Sequence, residues 1–145
     1  MEIVLKPIGI IHTSYHTKEE IPYQGCLSQE IGEIEIFKEY EDALCDLTGF
    51  SHVILLYHFH QSVGYSLKVR PFFDTTLRGL FATRYPKRPN PIGLSVVTLL
   101  EKSGSVLKIA NVDMLNGTPL LDIKPYVSQF DHKEEIKIGW LEGKL

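Results

Sequence analysis

Arg84, Lys87 and Arg88 lie close together in the run Arg-Tyr-Pro-Lys-Arg-Pro-Asn-Pro, interleaved with Pro86, Pro89, Asn90 and Pro91. Arginine presents a planar fork of donors that matches a carboxylate or a phosphate. Two such forks four residues apart can hold one anionic group or two neighbouring ones. Proline fixes φ and pushes the residue before it towards extended geometry, so little freedom remains between Arg84 and Ile92. A loop ordered in advance loses less entropy when it grips a ligand. Anion binding is the chemistry this suits, and a proline-rich surface turn with solvated charges is the alternative for the same residues.

His58 and His60, two apart on an extended chain, are a second possible site, since neighbouring imidazoles can ligate one metal. No third ligand is evident, because His52 would lie about 20 Å away along the same strand. No metal is therefore expected. His60 and Gln61 are read instead as polar groups at a pocket rim, and His58 as a satisfied core or interface histidine. Cys26 and Cys45 form no Cys-x-x-Cys pair, which excludes a sulfur-rich zinc site and a disulfide framework. Nor does the sequence contain a G-x-G-x-x-G turn after a strand, a P-loop, a G-x-S-x-G elbow or H-E-x-x-H.

Composition places the chain among ordinary globular proteins, with 43% hydrophobic and 23% charged residues over 145 positions, enough for one domain, 1–145, with its own core. The apolar stretches are far shorter than the about 20 residues that cross a bilayer, and no leader pattern opens the chain, so a cytoplasmic protein with no membrane partner is expected. Net charge is −3, which argues against indiscriminate nucleic-acid binding. The charge is uneven, however. Residues 68–88 hold six bases against Asp74 alone, and residues 18–46 hold nine acids against Lys18 and Lys38. These are either a basic patch on an acidic body or two regions that neutralise each other.

The elements that must position these groups read mostly as strands. Residues 3–11 are apolar and β-branched, and 31–36 alternate with Glu33 and Glu35, giving two strands. Residues 38–47 carry Tyr40, Ala43, Leu44 and Leu47 at helical steps before Gly49, giving a short helix. Residues 51–61 read as a central strand buried on both faces for much of its length. Residues 79–83 and 92–100 read as strands flanking the proline loop, 106–110 as a hairpin partner, and 136–140 as a closing strand, with 123–127 leading out of the 116–117 turn. Asn116-Gly117 signals a tight turn whose exposed amides could meet a ligand. The expected fold is mainly β, a barrel or strongly curved sheet with little helix.

The run Phe81-Ala82-Thr83-Arg84, then Arg88-Pro89-Asn90-Pro91-Ile92-Gly93-Leu94-Ser95, closely resembles the signature of the TsaA-like family, which includes TrmO-type tRNA methyltransferases and VirR-type proteins. Gly49-Phe50-Ser51-His52, Phe59-His60-Gln61, Asn116-Gly117-Thr118-Pro119 and Asp122-Ile123-Lys124-Pro125-Tyr126 agree with it, in the family's order, from about Ile8 to Asp131. The resemblance implies a single-sheeted β-barrel with one or two short helices. It also implies a homodimer that binds S-adenosyl-L-methionine near the subunit interface. TrmO-type members methylate N6 of threonylcarbamoyladenosine at position 37 of tRNA.

Carried over by the matching segments, contacts to the methyl donor come from Pro22, Tyr23, Gln24, His60, Gln61, Arg84, Leu94 and the turn Met114, Leu115, Asn116, Gly117 and Thr118. Arg84 or Arg88 would bind the donor's carboxylate. An apolar wall with Leu94 and Met114 would hold its adenine, and backbone groups near Asn116-Gly117 would read the adenine edge. The proton leaving the acceptor nitrogen could pass to Asp113, Asp122, His60 or Tyr126. The family commonly has arginine where this sequence has Tyr23, and many TrmO-type members carry a further C-terminal domain expected to help bind tRNA, whereas this sequence ends at Leu145. Three readings stay open: methyl transfer to tRNA or another RNA, donor binding as a sensor without transfer, and a metal-dependent or purely structural barrel. The basic segment 68–88 favours the first.

Overall fold

The computed structural model describes residues 1–22, 28–72 and 74–145. Six strands close into an antiparallel barrel: β1 (Gly9–His12), β2 (Ile31–Ile36), β3 (His52–His58), β6 (Ile92–Ser103), β7 (Val106–Ala110) and β8 (Thr118–Pro125), in the order β1-β2-β7-β6-β3-β8. Two short strands, β4 (Lys68–Val69) and β5 (Arg78–Gly79), pair as a separate ribbon. Helix is sparse, as expected: one α-helical turn, α1 (Ser128–Asp131), and several 3-10 segments, of which Lys38–Leu44 stands where the short helix was anticipated.

Alternation builds the barrel. Ile34 and Ile36 point inward while Glu33 and Glu35 point to water, and Val53, Leu55, Val97, Leu107 and Ile109 fill the interior in the same way. β6, the longest strand, pairs first with β3 and then with β7, which lets one strand turn the corner of the barrel. Register shifts between Leu56 and Tyr57 and between Leu99 and Glu101 supply the local bends that closure needs.

Four expectations are corrected. The first strand begins at Gly9 rather than residue 3, because Pro7 has no N–H to donate and residues 1–7 lie exposed outside the sheet. β3 is not buried on both faces: Val53, Leu55 and Tyr57 are buried, but Ile54, Leu56 and His58 face outward and are half-buried. The stretch 79–83 is not a strand, because after β5 the chain closes a 3-10 turn over Leu80–Ala82, with Thr83 N–H and Thr83 Oγ1 both donating to Leu80 O. Nor is 136–140 a strand. Gly139 has φ +57°, and a 3-10 turn at Gly139–Leu141 instead swings Trp140 against the 78–82 segment, where its Nε1 donates to Ala82 O at 2.8 Å.

The registers gather one end of the barrel. The last residues of β1, β3 and β7 and the first of β2, β6 and β8 all lie there. Three connections therefore meet at this end: 13–30, 59–91 and 111–117.

Candidate functional site

The proline loop is braced from within. Tyr85 N–H donates to Thr83 Oγ1 at 3.2 Å, and Arg88 Nη1 donates to Thr83 O and Tyr85 O, both at 2.9 Å. The Arg88 guanidinium also stands 5.8 Å from the centre of the Phe81 ring. The exit is pinned where Phe59 N–H donates to Pro91 O at 2.8 Å, which ties the loop to the end of β3. Arg88 thus spends its fork on the loop's own carbonyls. Arg84 differs: it is exposed, with no hydrogen bond or ion pair among the described residues. Of the two arginines proposed for the donor's carboxylate, Arg84 has the free guanidinium.

Beneath the loop runs a hydrogen-bonded chain from the barrel interior to its end. Ser95 Oγ donates to Asp113 Oδ1 at 2.8 Å and lies 2.8 Å from the Tyr57 hydroxyl. Because the one Ser95 proton goes to Asp113, the Tyr57 hydroxyl is the donor to Ser95. Burial pushes the Tyr57 phenol far above its ordinary range, and the charge of Asp113 adds to this, while that of Arg84 opposes it. The free cation and the carboxylate therefore both act on one buried phenol. Gly93 makes room for it: a Cβ there would stand 2.5 Å from Tyr57 Cζ and 2.8 Å from Phe59 Cζ. Sequence reasoning missed Tyr57 and Ser95. The signal was present in the inward parity of Tyr57 and the glycine that the register sets opposite it.

The 111–117 connection is tied to 13–15. Thr13 N–H donates to Asn116 Oδ1 at 3.0 Å, Thr13 Oγ1 donates to Met114 O at 2.8 Å, Asn116 N–H donates to Tyr15 O at 2.7 Å, and Gly117 N–H donates to Ile11 O at 2.8 Å. The amides of Asn116 and Gly117, expected to be open to a ligand, are already used. Gly117 has φ +85°, the left-handed turn its type suits. Thr118 is buried and its Oγ1 donates to Leu115 O at 2.7 Å. Met114 is core at 2% exposure, whereas Leu94 points out of the barrel at 56%, so the two do not form one wall.

Pro22 and His60, both half-buried, and exposed Gln61 belong to connections at this same end. Tyr23 and Gln24 lie outside the described residues. Two proposed proton acceptors are elsewhere. Tyr126 follows β8 at the opposite end, with its ring edge-on to His52 at 6.3 Å, and Asp122 sits within β8, ion-paired to Lys124 at 2.9 Å. Among the described residues, no group of three or more His, Cys, Asp or Glu side chains could hold a metal ion, no ion pair joins 18–46 to 68–88, and no helix is long and apolar enough to cross a membrane.

Fold and site define a small closed β-barrel that presents a rigid cationic loop and a tethered carboxylate at one end. The chain matches the family model of the tRNA-methyltransferase O N-terminal domain over residues 10–132, and it belongs to that TrmO, or TsaA-like, family. It is 50% identical over 144 residues to a probable S-adenosyl-L-methionine-binding protein of Pyrococcus abyssi, covering 99% of this chain and 78% of that one. It is 40% identical over 131 residues to the tRNA (adenine(37)-N6)-methyltransferase of Escherichia coli, covering 83% of this chain and 56% of the enzyme. The crystal structure of TrmO from Pseudomonas aeruginosa superposes with a TM-score of 0.84 at 36% identity, over all of this chain and 64% of that one.

Proposed function

We propose that this chain is an S-adenosyl-L-methionine-dependent tRNA methyltransferase whose acceptor is N6 of threonylcarbamoyladenosine at position 37. The observation that carries this reading is its identity to the Escherichia coli enzyme, 40% over 131 residues. We take residues 1–145 as one barrel domain acting in the cytoplasm as a homodimer. An outward apolar face supports the dimer: Ile54 pairs with Val96, Leu56 with Leu94 and His58 with Ile92, and Leu94 is 56% exposed.

The residues fit a sulfonium donor. Arg84 offers an unspent fork for its carboxylate, Leu94 an exposed apolar surface, and Pro22, Tyr23, Gln24, His60, Gln61 and the half-exposed Leu115, Asn116 and Gly117 complete the binding set. The donor supplies an already activated methyl group, so the protein's task is to align it with the acceptor nitrogen and exclude water. N6 forms the new bond to the methyl carbon, the carbon–sulfur bond breaks with its pair going to sulfur, and N6 loses a proton. Asp113 is the proton acceptor: of the four proposed groups, it is the one at the loop end whose carboxylate is held by a side-chain hydrogen bond.

A second reading, donor binding without transfer, has its own support, because the Pyrococcus abyssi relative is named only as a binding protein. Incubation with tritiated donor and hypomodified tRNA separates the two. Counts in the tRNA fraction support transfer. Tight donor binding with no counts in tRNA supports the sensor.

A further inference from the structure

A cleft of about 270 Å³ opens beside the proline loop, lined by Val63, Tyr65, Ser66, Val69, Tyr85 and Lys87. We propose that this cleft receives one unpaired base of single-stranded RNA, stacked against Tyr65 and Tyr85, with the adjoining phosphate on Lys87. This rests on the reading of the chain as a tRNA methyltransferase and names where the RNA is held.

Size argues for a single ring system. Pockets that enclose a drug-sized ligand run from about 300 to 1,000 Å³, so a cleft of about 270 Å³ suits one ring system better than the whole methyl donor. Chemistry argues for a base. Aromatic rings accept any base through its face, and a nearby cation takes the backbone charge, which is the common pattern of single-strand binding.

The walls are held in place. On one side, Val69 lies in β4, paired to β5 through Lys68 with Gly79 and Val69 with Arg78, and Leu80 N–H donates to Leu67 O at 2.9 Å. On the other, the Tyr85 backbone is fixed where its N–H donates to the Thr83 hydroxyl and its carbonyl accepts from the Arg88 fork. A backbone ordered in advance loses little entropy on binding.

The charge around the cleft favours a polyanion over a protein. The one acid of the 68–88 segment, Asp74, is held by both Arg78 and Lys144, and Arg78 keeps its carboxyl low, at about 2. Lys68, Arg84 and Lys87 have no ion-pair partner among the described residues. The segment therefore shows water an excess of positive charge next to an exposed aromatic ring, Tyr65 at 55% exposure, and the exposed aliphatic Val63.

The test is fluorescence anisotropy with a fluorescein-labelled RNA hairpin bearing a single-stranded loop, and with the same sequence fully paired. Tyr65→Ala should weaken hairpin binding about tenfold and Tyr65→Phe should restore it. Lys87→Gln should reduce the slope of log affinity against log salt by about 0.7. Neither tyrosine variant should change binding of the paired RNA, S-adenosyl-L-methionine affinity or sedimentation. Unchanged hairpin affinity in Tyr65→Ala overturns the proposal, as does failure of the unmodified chain to bind the hairpin. So does a Tyr65→Ala defect that appears in donor affinity, which would assign the cleft to the donor's adenine, or in a shift from dimer to monomer, which would assign it to a second copy. Hairpin binding that depends on Tyr65 without any methyl transfer keeps the cleft and removes only the enzymatic reading.

Discussion

Ser95 Oγ donates to Asp113 Oδ1 at 2.8 Å, a side-chain bond that helps join the barrel interior to the connection that closes its end. Removing it in Ser95→Ala takes one hydrogen-bond partner from the Asp113 carboxylate and leaves the buried Tyr57 hydroxyl without its acceptor. Urea unfolding should show a loss of about 1–3 kcal/mol. Methyl transfer should fall while donor affinity is kept, since Ser95 positions the base rather than touching the donor.

Tyr57 makes stability depend on alkaline pH. Its phenol is neutral in the folded chain well above the pH at which it ionises in the unfolded chain, about 10. The folded state thus keeps a proton that the unfolded state gives up, and stability falls as pH rises past 10. The loss from this group approaches about 1.4 kcal/mol per pH unit. Tyr57→Phe should have a flatter stability curve over the same range, measured by denaturant titration at stepped pH.

The two loop arginines should separate cleanly. Arg84→Ala should weaken S-adenosyl-L-methionine binding roughly ten- to hundredfold with the melting temperature unchanged, as expected for loss of a charge-assisted contact. Arg88→Ala should cost about 1–2 kcal/mol of stability, because it removes the donors to Thr83 O and Tyr85 O. Calorimetry and thermal melting of both variants check this. Equal loss of donor affinity with no loss of stability in Arg88→Ala would contradict the division of labour.

Gly93→Ala should cost about 1–3 kcal/mol even though alanine suits a strand, because its methyl would occupy the place of the Tyr57 and Phe59 rings. Adding Tyr57→Ala should recover part of that loss, and a double-mutant cycle reads the coupling.

Much of the barrel was legible because its strands alternate cleanly. Ile34 and Ile36 against Glu33 and Glu35 define an inner and an outer face, and the β6–β7 hairpin follows from two apolar runs around Gly104. Local pattern failed where side chains compete with the sheet. The Thr83 hydroxyl turns 80–83 into a 3-10 turn, and positive φ at Gly139 ends the apparent alternation that leads to Trp140. The candidate site was legible as a set of segments, since the registers bring to one barrel end the connections that hold Pro22, His60, Arg84 and residues 111–117. The roles of individual groups were not. Whether Arg84 or Arg88 is free, whether the Asn116 amide is spent and which carboxylate is tethered all depend on contacts between residues far apart in the chain.

Mass spectrometry of tRNA nucleosides tests the central claim most directly. After incubation of the chain with S-adenosyl-L-methionine and hypomodified tRNA, threonylcarbamoyladenosine from position 37 should gain one methyl group on N6. Asp113→Asn should bind the donor normally and leave that nucleoside unchanged. A donor-saturated protein that adds a methyl group to no tRNA nucleoside would contradict the account.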